Sequence, residues 1–196
     1  MVVAVLCTVV PVLRADDQTA EPGAGKVVMD AVGPMALVRS AAGAGISHLQ
    51  NTPSEWGQGS VGYGRRVASA FGGHIVKTAI KYPLARLFHE EFGYRRSGKQ
   101  GFKARLMYAL IATVYVHKTD SARLTIAKSE IAGSLGSGLI SRLWQPASTR
   151  AISHGFMSAG IGLAADAGGN VFREFWPEIR HSHRHAVKTP QPAPGS

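Results

Sequence analysis

Residues Phe102–Val116 read FKARLMYALIATVYV, and from Leu106 to Val116 no charged side chain interrupts them. An amphipathic surface helix carries a polar face, and this stretch has almost none, so it predicts a helix buried on every side at the centre of the fold. Its uninterrupted apolar part is shorter than the roughly 20 residues that cross a bilayer as a helix. The elements around it therefore have to supply a protein interior.

Upstream, Pro34 suits the first turn of a helix, and Ala36, Leu37, Ser40, Ala41, Ala44 and Leu49 recur at helical intervals until Asn51, Thr52 and Pro53 stop them. A second helix is expected from Gly57 to Lys81, with Pro83 kinking or restarting it for a short piece ending near Phe92. Downstream, Lys118 to Lys128 has no helical period and reads as a loop, with at most a brief extended piece at Leu124 to Ile126. Helices follow from about Ser129 to Leu143 and from about Thr149 to Phe175, where Pro177 ends the last. No pair of strands is expected. The fold class is all-α, a compact bundle of about five helices.

Small residues recur four apart: Ala41 with Gly45, Ala68 with Gly72, Ala132 with Gly136, Gly160 with Ala164, and Ala164 with Gly168. Such faces let helix backbones approach closely, in a tight bundle or in lipid. Each glycine lowers helix propensity by about 1 kcal/mol relative to alanine, so the close approach has to compensate. Arg39, His154, Asp166 and Asn170 lie within the most apolar helices and argue against simple spanning segments.

The start of the chain is apolar from Val2 to Leu13 and is followed by Arg14, Ala15, Asp16 and Asp17, the pattern of a signal-peptide core with a small residue at the cleavage point. The expected organisation is a signal peptide over 1–15, a linker over 16–32, a helical domain over 33–179 and a disordered tail over 180–196. Cys7, the single cysteine, falls in the signal, so the processed chain would use neither disulfides nor thiols. A net charge of +10 and a pI near 10.2 favour anionic partners, here a membrane surface or an acidic envelope polymer. Nucleic acid is not expected: no recognised module is present, and export removes the opportunity.

Known catalytic signatures fail on context. Gly57, Gly59 and Gly62 fit G-x-G-x-x-G, yet no strand precedes them and Lys77 and Lys81 occupy the region where an acidic ribose ligand belongs. Ser158 has Phe156 where a nucleophile elbow needs glycine. His181, His183 and His185 alternate in the tail without a carboxylate to orient them, so no metal site is expected, and no cofactor. The richest polar segment is FGYRRSGKQGFKAR, Phe92 to Arg105, where Tyr94, Arg95, Arg96, Lys99, Lys103 and Arg105 combine cations with aromatic rings and suit an anionic ligand. Trp56 and Trp176, each beside carboxylates, are candidates for an aromatic platform, although such residues more often lock a loop onto a helix end. Glu55, Asp120 and Glu174 are the candidate acids or bases if the chain is catalytic.

The stretch NTPSEWGQGSVGYGRRVASAFG, Asn51 to Gly72, resembles a family of bacterial exported proteins of uncharacterised function that share P-x-E-W-G-Q-G-x-x-G-Y-G-x-R and a closing E-F-W-P-[DE]-I, here Glu174 to Ile179. Blocks at Phe88 to Gly98 and Lys118 to Gly133 look similar too. The chain departs from the pattern at Glu90, Glu91, Phe92 and Gly93, where Asp-Pro would stand ahead of the Arg and Tyr. The resemblance implies export and a single domain, and no reaction. The expected protein is an exported, noncatalytic module of the periplasm or cell envelope that associates with membrane or anionic polymer. The alternative is an exported hydrolase or transferase with a carboxylate site between helices.

Overall fold

The computed structural model describes residues 23–121 and 123–186, with side chains through Glu178. The signal-like start and Cys7 lie outside them. The chain is an all-α bundle: α1 (Ala24–Val32), α2 (Pro34–Leu49), α3 (Ser60–Leu87), α4 (Phe102–Ile111), α5 (Lys128–Ser141) and α6 (Ile152–Ala186). Single 3-10 turns at Ser54–Trp56 and Ala147–Thr149 precede α3 and α6, and one antiparallel hairpin, β1 (Tyr115–His117) with β2 (Leu124–Ile126), lies between α4 and α5. The helices pack in a row, α2 on α3, α3 on α5, α5 on α6 and α6 on α4, with α1 returning onto α3.

The interior of the row is α3, which meets α1, α2 and α5, together with α5, and not the Phe102–Val116 stretch. Helix α4 ends at Ile111, packs on α6 at the edge of the row and leaves Phe102 and Met107 exposed. Val114 to Val116 turn away because β-branched and aromatic residues suit a strand. Tyr115 pairs with Ile126 and His117 with Leu124, a pair of strands where none was expected.

Two boundaries also move. The presumed linker over 16–32 contains α1, docked on α3 by Asp30: its carbonyl meets His74 Nε2 at 2.7 Å and its carboxylate accepts the Tyr82 hydroxyl. Neither proline breaks its helix. Pro83 lies inside α3 and Pro177 inside α6, which continues to Ala186, so the first seven residues assigned to a disordered tail are helical. A proline removes one i→i−4 bond. In α3, Tyr82 bonded to Asp30 and Lys81 paired with Glu130 tie the helix to α1 and α5 beside that gap.

Arginine 66 explains the glycine motif. Its guanidinium is 2% exposed and donates from Nε to Thr52 O at 2.9 Å, from Nη1 to Gly57 O at 2.7 Å and from Nη2 to Pro53 O at 2.8 Å, while Nη1 also meets His48 Nδ1 at 3.2 Å. One planar fork thus fixes the turn between α2 and α3. Gly57 and Gly59 have φ of 68° and 104°, which glycine alone adopts without strain, and a Cβ on Gly62 would lie 2.4 Å from Gly57 O. The three glycines fold a loop back onto its own helix, and a 3-10 turn rather than a strand leads into them.

Glutamate 90 starts α5. Residue 127 is an alanine and caps nothing, so the Glu90 carboxylate, 2% exposed, takes its place from another part of the chain. It accepts the amides of Lys128 at 2.9 Å and Ser129 at 3.1 Å. A negative charge there also complements the helix dipole.

Of the small-residue faces, the α5–α6 contact is the closest. A Cβ on Gly138 would lie 2.3 Å from Gly155 O, and one on Gly136 2.4 Å from Ile80 Cδ1. On α2 the packed face is Ala36, Ser40 and Ala44, while Gly45, which the spacing singled out, faces open space. Gly160 and Gly168 are open as well.

The interior is small and polar. Among the described residues the buried apolar set is seven alanines and Tyr82, against twelve buried polar or charged side chains, while 28 large apolar side chains are exposed.

Candidate functional site

The polar segment after α3 lies beside a cleft of about 420 Å³ between residues 91–99, α4 and the hairpin. Met107 and Ile111 from α4, with Val116 and Leu124 from the strands, are its apolar lining, and Glu91, Arg95, Lys99 and His117 are its ionisable lining. Tyr94 and Tyr108 contact edge to face, ring centroids 6.1 Å apart, and build one wall. Arg95 is ion-paired to Glu91, four residues earlier, yet its side chain is 69% exposed. Lys99 sits over the Tyr108 ring, Nζ 5.5 Å from the centroid.

Other cations of the segment serve the fold. Glu174, on α6 and 1% exposed, is the anchor of the whole stretch. Its carboxylate accepts the Tyr94 hydroxyl at 2.7 Å, the Ser97 amide at 3.1 Å and hydroxyl at 2.5 Å, and Arg105 Nε at 3.1 Å. Arg105 also donates to the Glu174 carbonyl at 2.7 Å, pairs with Glu178 and stacks on Phe175, Cζ 4.4 Å from the ring centroid. Burial pushes the Glu174 carboxyl up, but the Ser97, Tyr94 and Arg105 donors outweigh it and hold the pKa down to about 2. Burial and the adjacent Glu174 charge raise the Tyr94 hydroxyl well above its ordinary value. A carboxylate so fully donated to is a structural anion, with no free lone pair placed for proton transfer. Arg96 and Lys103 are exposed, and Tyr94 and Arg105 hold Glu174, so of the six cation and aromatic candidates Arg95 and Lys99 stand at the cleft rim.

The three candidate carboxylates have separate partners. Glu55 is exposed, and the Ser148 hydroxyl holds its pKa below the usual range. Ser148 precedes α6 whereas Glu174 lies 22 residues along that helix from Ile152, about 33 Å at 1.5 Å per residue. Asp120 sits in the hairpin turn, its charge favoured first by Ser121 and then by Lys118 and His89. The tryptophans divide likewise. Trp56 adjoins Glu55 and is half-buried, while Trp176 adjoins Phe175, is 43% exposed and packs on Phe172 at 4.9 Å.

A second ionic centre joins the three longest-packed helices. Lys77 of α3 pairs with Glu130 of α5 at 2.5 Å and with Asp166 of α6, and Lys81 holds the other Glu130 oxygen at 2.5 Å. Sequence reasoning missed this group, because its members stand far apart in the chain. Charged residues set among small ones in Lys77–Lys81 and Asp166 are the available signal. Lys77 and Glu130 are the more buried members, and removing either would leave the other's charge uncompensated.

No family model, curated protein or solved structure matches this chain. Helices α1 and α2, taken together as Ala24–Leu49, have 26 residues and contain an 18-residue stretch of mean hydropathy 1.2 that is 28% buried, long and apolar enough by length and composition to cross a membrane or to serve as an export signal.

Proposed function

We propose that this chain is a noncatalytic, membrane-associated helical module of the cell envelope, with its apolar helix faces against lipid and the exposed cations Arg95, Arg96, Lys99 and Lys103 at anionic headgroups. The observation that carries this reading is the inverted distribution of polarity among the described residues: alanines, ion pairs and hydrogen-bonded carboxylates inside, 28 large apolar side chains outside. In water such exposure is unfavourable at about 25 cal/mol per Å² of apolar surface, whereas lipid removes that cost. Val28, Met29 and Val32 of α1 and Met35 and Val38 of α2 are among the exposed apolar residues. Small-residue packing and internally paired charges are what helices in an apolar solvent need. Export fits the same reading, with the signal over 1–15 delivering the chain to the envelope.

The test is fractionation of cells making the full chain, with mass determination of the mature N-terminus and successive high-salt and alkaline washes of the membrane pellet. Retention through high salt supports apolar contact with lipid. Release by salt alone would replace lipid with an acidic envelope polymer as the partner. A chain found wholly in the soluble fraction would end the membrane reading, and an N-terminus other than Asp16 would end the proposed cleavage.

A further inference from the structure

We propose that the cleft between residues 91–99, α4 and the hairpin binds a single acyl chain bearing an anionic head, with the chain on the Met107, Ile111, Val116 and Leu124 floor and the head at Arg95 and Lys99. This goes beyond membrane association, since a soluble chain could carry the same cleft. A volume of about 420 Å³ falls within the range of small-molecule sites. The floor is apolar and open: Met107 is 55%, Ile111 46% and Leu124 59% exposed, although all three line a concavity.

The rim keeps donors available. Glu91 engages one terminal nitrogen of Arg95, and an arginine has five N–H groups in a rigid fork, so donors remain on this exposed side chain for a second anion. Lys99 Nζ rests on the Tyr108 ring, a contact that uses none of its three N–H donors. An anionic head meeting both balances the surplus charge of the rim, two cations against the single carboxylate of Glu91, which itself lines the cleft and positions Arg95. A neutral or cationic head gains nothing there.

The rim also has a rigid support. Tyr94 and Ser97, on either side of Arg95, are both bound to Glu174, so the segment that presents the cations is held at two points to α6. The ligand therefore meets a preformed edge, and ordering it costs little on binding.

The full chain is exposed to a diazirine-bearing dodecyl phosphate and the crosslinked residues are mapped by mass spectrometry. Labelling is expected within residues 107–124, suppressed by excess dodecyl phosphate and not by dodecyl maltoside or inorganic phosphate. Lys99→Glu should lower it about tenfold. Ile111→Trp fills the floor and should abolish it while helical circular dichroism is retained; Lys99→Glu, at an exposed position, serves where Ile111→Trp misfolds. Equal competition by dodecyl maltoside would overturn the role of the rim, and competition by inorganic phosphate would overturn the role of the chain. Labelling confined to residues 24–49 would overturn the site. Membrane-bound protein that does not label within 107–124 defeats this proposal alone, and soluble protein that does label there defeats the membrane reading alone.

Discussion

Glu90 and Ser129 are joined twice: one carboxylate oxygen, Oε2, accepts the serine hydroxyl at 2.5 Å and its amide at 3.1 Å. The residue that begins α5 thus comes from the end of α3 and stands in for the missing side chain of Ala127. Charge-assisted bonds of this kind are the stronger ones, and both partners are buried. Glu90→Ala is expected to destabilise the chain by about 3 kcal/mol, since two amides and a hydroxyl lose their acceptor. Glu90→Gln should cost about half as much. Chemical denaturation of both variants in neutral detergent checks the order.

Gly138 and Gly45 make opposite predictions. Gly138→Ala places a methyl group 2.3 Å from Gly155 O, a backbone atom that cannot yield without moving α6, and should cost about 2 kcal/mol or more. Gly45→Ala meets nothing within 4 Å and should gain up to about 1 kcal/mol from helix propensity. Melting temperatures that move in the same direction for the two would refute the assignment of which glycine face is packed.

Arg66→Lys should loosen the 48–57 turn although the charge is kept. A lysine has one nitrogen in place of the fork and cannot reach Thr52 O, Pro53 O and Gly57 O together. A loss of about 3 kcal/mol is expected, with new cleavage between residues 51 and 59 in limited proteolysis. Unchanged proteolysis would mean that the glycines alone hold the turn.

Acid should release the segment that Glu174 anchors. Its folded pKa of about 2 lies below the ordinary 4.5, so its stabilisation is full above about 4.5 and is lost as the pH falls toward 2. Glu174→Gln is expected to lower the melting temperature at neutral pH and to converge on the parent as the pH drops through that window. A gap that stays constant from pH 6 to about 2.5 would contradict the ionised anchor.

Local signals made the helices legible. Pro34, the apolar periods of α2, α3 and α5, and the all-α class all follow from residues read one segment at a time. What periodicity could not rank was which apolar stretch is central. Leu106–Val116 is the most apolar on its own, yet it lies at the edge of the row, while α3, with Lys77, Lys81 and Arg66, lies inside it between α2 and α5. In a protein with an apolar outside, hydrophobicity no longer reports burial. The polar segment at 92–105 stood out by composition, but its division into Arg105 for the fold and Arg95 with Lys99 for the cleft depends on Glu174, some 70 residues away. Glu90, Arg66 and Glu130 carry no local signature, because a cap, a turn clamp and an ion pair are all defined by distant partners.

The order of the row differs from the order of synthesis. Helices α2 and α3 can meet as soon as both have been made, whereas α4, complete at Ile111, has its packing partner in α6, which begins at Ile152. Tyr94, Ser97 and Arg105 wait longer still, for residue 174. The edge that borders the cleft thus meets its anchor only after residue 174 has been made. A nascent or truncated chain lacking the second half of α6 would hold α2, α3 and α5 together while the segment from Tyr94 to Arg105 stayed unpinned, so completion of the C-terminal helix acts as the closing step of assembly.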